Sequence, residues 1–459
     1  MNDDTITAIA TPPGRAGIGI VRISGPNALN IAKTIFRPKQ PAAAFQSHRL
    51  CLGHLVDPES GAMLDEVLLA FMKAPHTYTR QDIVEINSHS GYMLLSRILR
   101  LVMDHGARLA RPGEFTFRAF LNGRIDLTQA EAVADIIDSQ SERGLHLVAE
   151  QIKGTLRRRI EHVREEAVEI LAHVEVAIDF PDEDHEILSR EKGISRIREK
   201  LIAPLEALVV DHKSRQIWVD GVNTVIIGRV NVGKSSLLNR LLNEQRAIVT
   251  PVPGTTRDVI ESTLNIEGIP LRLMDTAGLR QGKDQVERIG IHLTRQKIQS
   301  ADLILAVVDQ SEPLEQEDLE IVGRCRGRNA LIVLNKTDLP VRLSAAEREQ
   351  AFFGFPTVAV SALTGEGIDR LKKAVVEFVL QEGAGPEESH VAPNLRHRKA
   401  LEEALACFNR AADALGDALP MEIVALELGS GLDSLGQIIG ETTPEDVLEN
   451  IFSQFCLGK

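Results

Sequence analysis

Gly228-Arg229-Val230-Asn231-Val232-Gly233-Lys234-Ser235 follows an apolar run at 224–227 and leads into the leucine-rich, helically spaced segment 236–242. A GxxxxGK[ST] pattern between a strand and a helix predicts a phosphate-binding loop. The glycines let backbone N–H groups close around phosphate oxygens, and the following helix adds partial positive charge at its N-terminus. Lys234 has the reach for terminal phosphates, and the Ser235 hydroxyl is suited to Mg²⁺. Asn231, Val232, Gly233, Lys234, Ser235 and Ser236 are therefore assigned to the nucleotide.

Three more strand ends extend this reading. The run at 271–274 delivers Asp275-Thr276-Ala277-Gly278, where an acid supports the Mg²⁺ shell and a glycine N–H meets a γ-phosphate. The run at 330–334 delivers Asn335-Lys336-Thr337-Asp338. A carboxylate at Asp338 accepts hydrogen bonds from N1–H and the 2-amino group of guanine, which adenine does not offer, and a buried acceptor left unpaired rejects the wrong base. The run at 357–360 delivers Ser361-Ala362-Leu363, suited to a backbone contact with the guanine oxygen. Loops at the carboxyl ends of successive strands are where an open α/β sheet binds its ligand. These residues imply a GTP-binding, doubly wound, mostly parallel domain. Leu279 occupies the position of the glutamine that orients the attacking water in Ras. The loop from Thr250 to Asp258 contributes Thr255 and Thr256. Thr256 is the candidate that completes the Mg²⁺ shell with Ser235, in a loop rich in carbonyls and hydroxyls.

Around this domain the chain changes texture. The first ~120 residues alternate strand-like runs (5–10, 18–23, 67–72, 82–87) with turns and a helix at 92–104. From about 127 to 217 apolar residues recur three and four apart, as at 130–137 and 163–176, which predicts helices. The acidic run 182–186 reads as a solvated loop, and 383–386 as a linker before a second helical stretch. One helical domain assembled from both flanks of the α/β domain is compatible with this pattern, but periodicity does not establish it.

Composition narrows the function classes. With 459 residues the chain has room for two to four domains, and 43% hydrophobic with 25% charged residues is ordinary for globular cores. No apolar run approaches the ~20 residues of a membrane span. Asp3 and Asp4 stand where a secretory signal would be basic, so a cytoplasmic, membrane-free protein is expected. Cys51, Cys325, Cys407 and Cys456 have neither CxxC nor zinc spacing. The net charge of −13 argues against coating nucleic acid by bulk electrostatics.

The Gly-Arg-x-Asn-x-Gly-Lys-Ser loop together with Pro253-Gly254-Thr255-Thr256-Arg257-Asp258 resembles the GTPases Era, Der and MnmE. Thr11-Pro12-Pro13-Gly14-Arg15, Val21-Arg22-Ile23-Ser24-Gly25, Arg111-Pro112-Gly113-Glu114-Phe115, Asp179-Phe180-Pro181-Asp182-Glu183 and the terminal Phe455-Cys456-Leu457-Gly458-Lys459 look like the MnmE (TrmE) family of tRNA-modification GTPases. The resemblance covers essentially the whole chain. It implies a folate-binding and dimerising α/β domain at 1–120, a helical domain at 121–216 and 383–459, and the GTPase domain inserted at 217–382. It also implies a homodimer that joins an FAD-containing MnmG protein in a heterotetramer. Together they place a carboxymethylaminomethyl or aminomethyl group on C5 of the wobble uridine of certain tRNAs, with 5-formyl- or methylene-tetrahydrofolate as the one-carbon source.

By resemblance, Arg22, Glu85, Arg124 and Lys459 contact the folate. At Arg124 the family also uses lysine, and a guanidinium fork replaces a point charge. Glu287 and Cys456 match catalytic positions. Asn231, Thr250, Val252 and Thr255 match a K⁺ site that supplies the charge of an arginine finger. An Era- or Der-like ribosome-assembly GTPase is the rival reading. It predicts a basic RNA-binding module after the GTPase domain. Residues 384–459 instead carry 13 acidic against 5 basic side chains.

Overall fold

A computed structural model of the protein describes residues 4–12, 14–40, 45–180, 190–243, 262–274, 298–383, 391–455 and 458. The N-terminal region is a seven-stranded sheet of β1 (Ile6–Ile9), β2 (Gly19–Ser24), β3 (Phe36–Pro38), β4 (Arg49–Val56), β5 (Met63–Met72), β6 (Ile83–Ser88) and β7 (Arg108–Leu109), ordered β3-β4-β5-β6-β2-β1-β7. Helices α1 (Ala28–Ile35) and α2 (Tyr92–Asp104) cover one face, where Ile31, Ile35, Leu95 and Ile98 share a core with Val21, Ile23, Val84 and Ile86. Side chains alternate along a strand, so burying Val21 and Ile23 turns Arg22 to the other face. Arg22 lies directly opposite Glu85 in the β2–β6 register.

Helices follow: α3 (Glu114–Leu121), α4 (Leu127–Asp138), α5 (Glu142–Ile152), α6 (Thr155–Asp179), α7 (Arg190–Ile197) and α8 (Ala203–Arg215). In α6 the buried residues Leu156, Ile160, Val163, Ala167, Ile170 and Val174 recur at alternating steps of four and three, a single apolar seam. The acidic run 182–186 and most of the linker at 383–386 lie outside the described residues.

The next unit is α/β. It comprises β8 (Val222–Ile227), α9 (Lys234–Asn243), β9 (Ser262–Ile266), β10 (Ile269–Leu273), β11 (Leu303–Asp309), α10 (Gln316–Cys325), β12 (Ala330–Asn335), α11 (Ala345–Phe352), β13 (Thr357–Ala359) and α12 (Ile368–Gly383). The sheet order is β13-β12-β11-β8-β10-β9, parallel throughout except for the edge pair β9–β10. β11 is buried along its whole length. Its Leu305 and Val307 enter the core on one face, and Ile304, Ala306 and Val308 enter the core on the other. A central parallel strand clothed on both sides requires such an apolar run.

Contacts around Trp218 and Asn265 mount this unit on the helices. A short π-helical turn, Gln216–Asp220, leads from α8 into β8 and buries Trp218 among Leu147, Val148, Leu264 and Ile266. Ser141 Oγ donates to the Trp218 carbonyl at 2.7 Å, Arg143 lies 4.5 Å over the indole, and Asn265 Nδ2 donates to Gln140 O at 3.0 Å.

The chain then returns through α13 (Leu395–Gly416), α14 (Met421–Ile439) and α15 (Glu445–Ser453). Leu401 and Phe408 of α13 and Leu428 and Leu435 of α14 share one core with Ile160, Val163 and Ile170 of α6. The two helical flanks therefore form a single unit, with the α/β unit inserted between them. A buried polar group joins them as well. Glu131 of α4 accepts from Arg396 at 2.8 and 2.9 Å and lies 2.6 Å from His397 Nε2. Burial raises the Glu131 carboxyl, but His397 and Arg396 outweigh it and hold the group well below the usual carboxylate range. Among the described residues no helix is long and apolar enough to cross a membrane.

Candidate functional site

The carboxyl ends of β8, β11, β12 and β13 converge. The Lys234 ammonium donates to the Gly228 carbonyl at 2.7 Å and the Arg229 carbonyl at 2.6 Å. Two of its three hydrogens thus fix the loop, which leaves one for a phosphate oxygen. Burial pushes the Lys234 pKa down. Gly233 has φ +98°, and a Cβ there would run into Asn335 Nδ2. That cradle fits phosphate oxygens brought close to backbone N–H groups. Val232 is buried, while Asn231, at φ +65°, and the first-turn residues Ser235 and Ser236 are exposed.

Asn335 binds the loops to one another. Its Nδ2 donates to Val232 O at 2.8 Å, and its Oδ1 accepts from Ala362 N at 3.0 Å. Lys336, at φ +67°, places Nζ 2.5 Å from Asp309 Oδ2. Burial raises the Asp309 carboxyl, but Lys336 and Ser311 outweigh it, so it stays below its ordinary value. The Ser361 hydroxyl donates to Asp338 Oδ1 at 2.5 Å and accepts from Thr364 N at 3.0 Å. Asp338 is therefore held by one oxygen before any base arrives. Thr337 Oγ1 is buried with no hydrogen-bond partner among the described residues. Ser361 and Ala362 are buried and Leu363 is exposed, so the backbone of this loop forms a rim.

A second cluster forms on the open face of the N-terminal sheet. Arg22 Nε donates to Glu85 Oε1 at 2.8 Å, Arg22 Nη1 donates to the Gly458 carbonyl at 3.2 Å, and the guanidinium lies 5.7 Å from the Phe115 ring centre. Arg124 Nη1 donates to Thr77 O at 2.5 Å and lies 5.2 Å over the Tyr78 ring. Burial raises the Tyr78 phenol pKa against the opposing pull of Thr116, Arg124 and Arg22. The C-terminal tail reaches this face because Phe452 and Phe455, stacked at 5.6 Å, pack against Leu127, Ala130, Phe117 and Phe120. Gly458, at φ +92°, lies so close to Ile9 O and Ala10 Cα that a side chain would not fit.

A family model described as the GTP-binding protein TrmE N-terminus matches residues 5–124, and one described as the MnmE helical domain matches residues 127–456. The chain belongs to the MnmE family of tRNA modification GTPases. Curated relatives agree over their full length. The MnmE tRNA modification GTPase of Alkaliphilus oremlandii is 44% identical over all of this chain and 99% of its own. That of Moorella thermoacetica is 46% identical over the whole of both. Among solved structures, Aquifex aeolicus Era bound to GDP and aluminium fluoride is 28% identical over 42% of this chain and 66% of its own, with a TM-score of 0.28.

This MnmE-family chain is therefore a GTPase. The structure brings Asn231, Val232, Gly233, Lys234, Ser235, Ser236, Asn335, Lys336, Asp338, Ser361, Ala362 and Leu363 to one end of the sheet. It brings Arg22, Glu85 and Arg124 to the other cluster. Thr250, Val252, Thr255, Thr256, Asp275, Thr276, Ala277, Gly278, Glu287, Cys456 and Lys459 lie outside the described residues. Sequence reasoning missed Tyr78, Asp309 and the environment of Arg229. The signal for the last was present: four acidic residues at 312–318 directly follow strand 303–309.

Proposed function

We propose that this MnmE-family GTPase acts in the cytoplasm as a homodimer with an FAD-containing protein of the MnmG type. Together they place a carboxymethylaminomethyl or aminomethyl group on C5 of the tRNA wobble uridine, using a one-carbon unit carried by reduced folate. In this reading residues 1–120 bind folate and dimerise, 121–216 and 383–459 form the helical domain, and 217–382 hydrolyse GTP. Nothing in the sequence carries a flavin fingerprint, so the redox step falls to the partner. Leu50, Leu52, Met63 and Leu68, all exposed on neighbouring strands β4 and β5, support a dimer contact.

The observation that carries the folate reading is the meeting of Arg22, Glu85 and Gly458 beside Phe115, with Arg124 and Tyr78 near by. A guanidinium fork suits a carboxylate, a carboxylate suits pterin N–H groups, and the aromatic rings suit a flat heterocycle. Calorimetric titration of the full-length protein with 5-formyl-tetrahydrofolate is expected to show saturable binding. In Arg22→Ala that binding should weaken by about tenfold or more, because a charge-assisted hydrogen bond is lost. Absence of heat with the wild-type protein overturns the folate assignment.

Within the GTPase domain, Ser235 and Thr256 are proposed to hold Mg²⁺, and Asn231 with Thr250, Val252 and Thr255 to hold K⁺. The exposed, positive-φ Asn231 in the phosphate loop supports the cation reading. GTP turnover is expected to be at least about tenfold faster in KCl than in NaCl at equal ionic strength, since a fixed oxygen cage discriminates ions by size. Equal rates remove K⁺ from the scheme.

A further inference from the structure

Arg229, the second residue of the phosphate loop, turns its side chain inward, where it is 9% exposed. Its Nη2 is 2.6 Å from Glu312 Oε2, its Nη1 pairs with Glu315 Oε1, and its Nε is 3.2 Å from Asp318 Oδ2. The carbonyl of the same residue accepts from Lys234 Nζ at 2.6 Å. Arg229 thus connects an acidic segment to the lysine that meets the terminal phosphates. That segment, residues 312–318, caps the N-terminal end of α10 and holds four carboxylates: Glu312, Glu315, Glu317 and Asp318. Its field reaches the phosphate loop, because Glu317 draws the Lys234 pKa upward against burial.

A cluster of carboxylates beside a polyanion site repels the ligand unless a cation compensates. A guanidinium is always charged and makes several planar contacts, which suits it to that task. We infer that Arg229 is a positioning residue for GTP binding: it neutralises the acidic segment 312–318 next to the phosphates and anchors the carbonyl that orients Lys234. Two of its partners, Glu312 and Glu315, are more than half exposed, so the effect is sensitive to screening by salt.

Titration of the full-length protein with a fluorescent GTP analogue tests this. Arg229→Met keeps the packing stem and removes the charge. It is expected to weaken binding about tenfold at about 0.05 M salt and less than about threefold at about 0.5 M. Arg229→Lys, which keeps the charge but loses the planar fork, should fall between Arg229→Met and wild type. Adding Glu312→Gln and Glu315→Gln to Arg229→Met should restore most of the lost affinity, which a purely structural arginine would not allow. In the wild-type background the two glutamines alone should tighten GTP binding at low salt and flatten its salt dependence. This variant needs no change at Arg229, so it remains informative if Arg229→Met does not fold. Unchanged affinity and salt dependence in the double glutamine variant, or no rescue in the triple variant, overturns the inference.

Discussion

Gly233→Ala is expected to lose at least about 10³-fold in GTP affinity while keeping the overall fold. Two costs act together. A side chain at φ +98° adopts a conformation unfavourable by ~1–2 kcal/mol. The new methyl group would also enter the space of Asn335 Nδ2, the atom that donates to Val232 O. Moving Asn335 breaks that bond and the one from Ala362 N to its Oδ1, at ~1–3 kcal/mol for each buried group left unpaired. Phosphate loop and base loop then lose their shared anchor. Fluorescent-nucleotide titration measures the loss, with circular dichroism as the control for folding. Near-wild-type affinity would show that the loop does not depend on this close approach.

Asp338→Asn is expected to change which base the site accepts. The wild-type carboxylate has Oδ1 fixed by the Ser361 hydroxyl at 2.5 Å, and in the proposed site it accepts from the N1–H and 2-amino groups of guanine. An asparagine sets an N–H donor against these donors. Sites built around a base's hydrogen bonds reject a mismatched partner by up to about 10⁴-fold, because buried polar groups are left unpaired. GTP affinity should therefore fall by about 10²–10⁴. Xanthosine triphosphate, whose 2-oxo group accepts from the new amide, should bind more tightly than GTP. Competition between the two nucleotides reads this directly, and an unchanged preference for GTP would remove Asp338 from base recognition.

What was legible in the sequence follows from how local each signal is. The phosphate loop, Asn335-Lys336-Thr337-Asp338 and Ser361-Ala362-Leu363 were readable because chemistry and strand end lie within a few residues of each other. The seam of α6 was readable because its period is set by one helix. Strand β4 was not, since Leu50 and Leu52 are exposed while Cys51 and Gly53 are buried, which inverts the expected apolar alternation. The hairpin of β9 and β10 turns on Glu267-Gly268, both at positive φ, rather than on the stronger Asn-Gly or Asp-Gly signal. The partners of Arg229 lie more than 80 residues away. The Gly458 carbonyl meets Arg22 across 436 residues, and no local period encodes such a meeting. The same is true of the shared core that joins the two helical flanks.

In the proposed function, GTP bound at these loops supports modification of tRNA. Mass spectrometry of wobble nucleosides from a strain lacking the gene, complemented either with the wild-type protein or with Gly233→Ala, tests it most directly. Modified uridine should be absent without the gene, return with the wild-type protein and stay absent with Gly233→Ala. Full modification without the gene would remove this protein from the modification, and full rescue by Gly233→Ala would remove the phosphate loop from it.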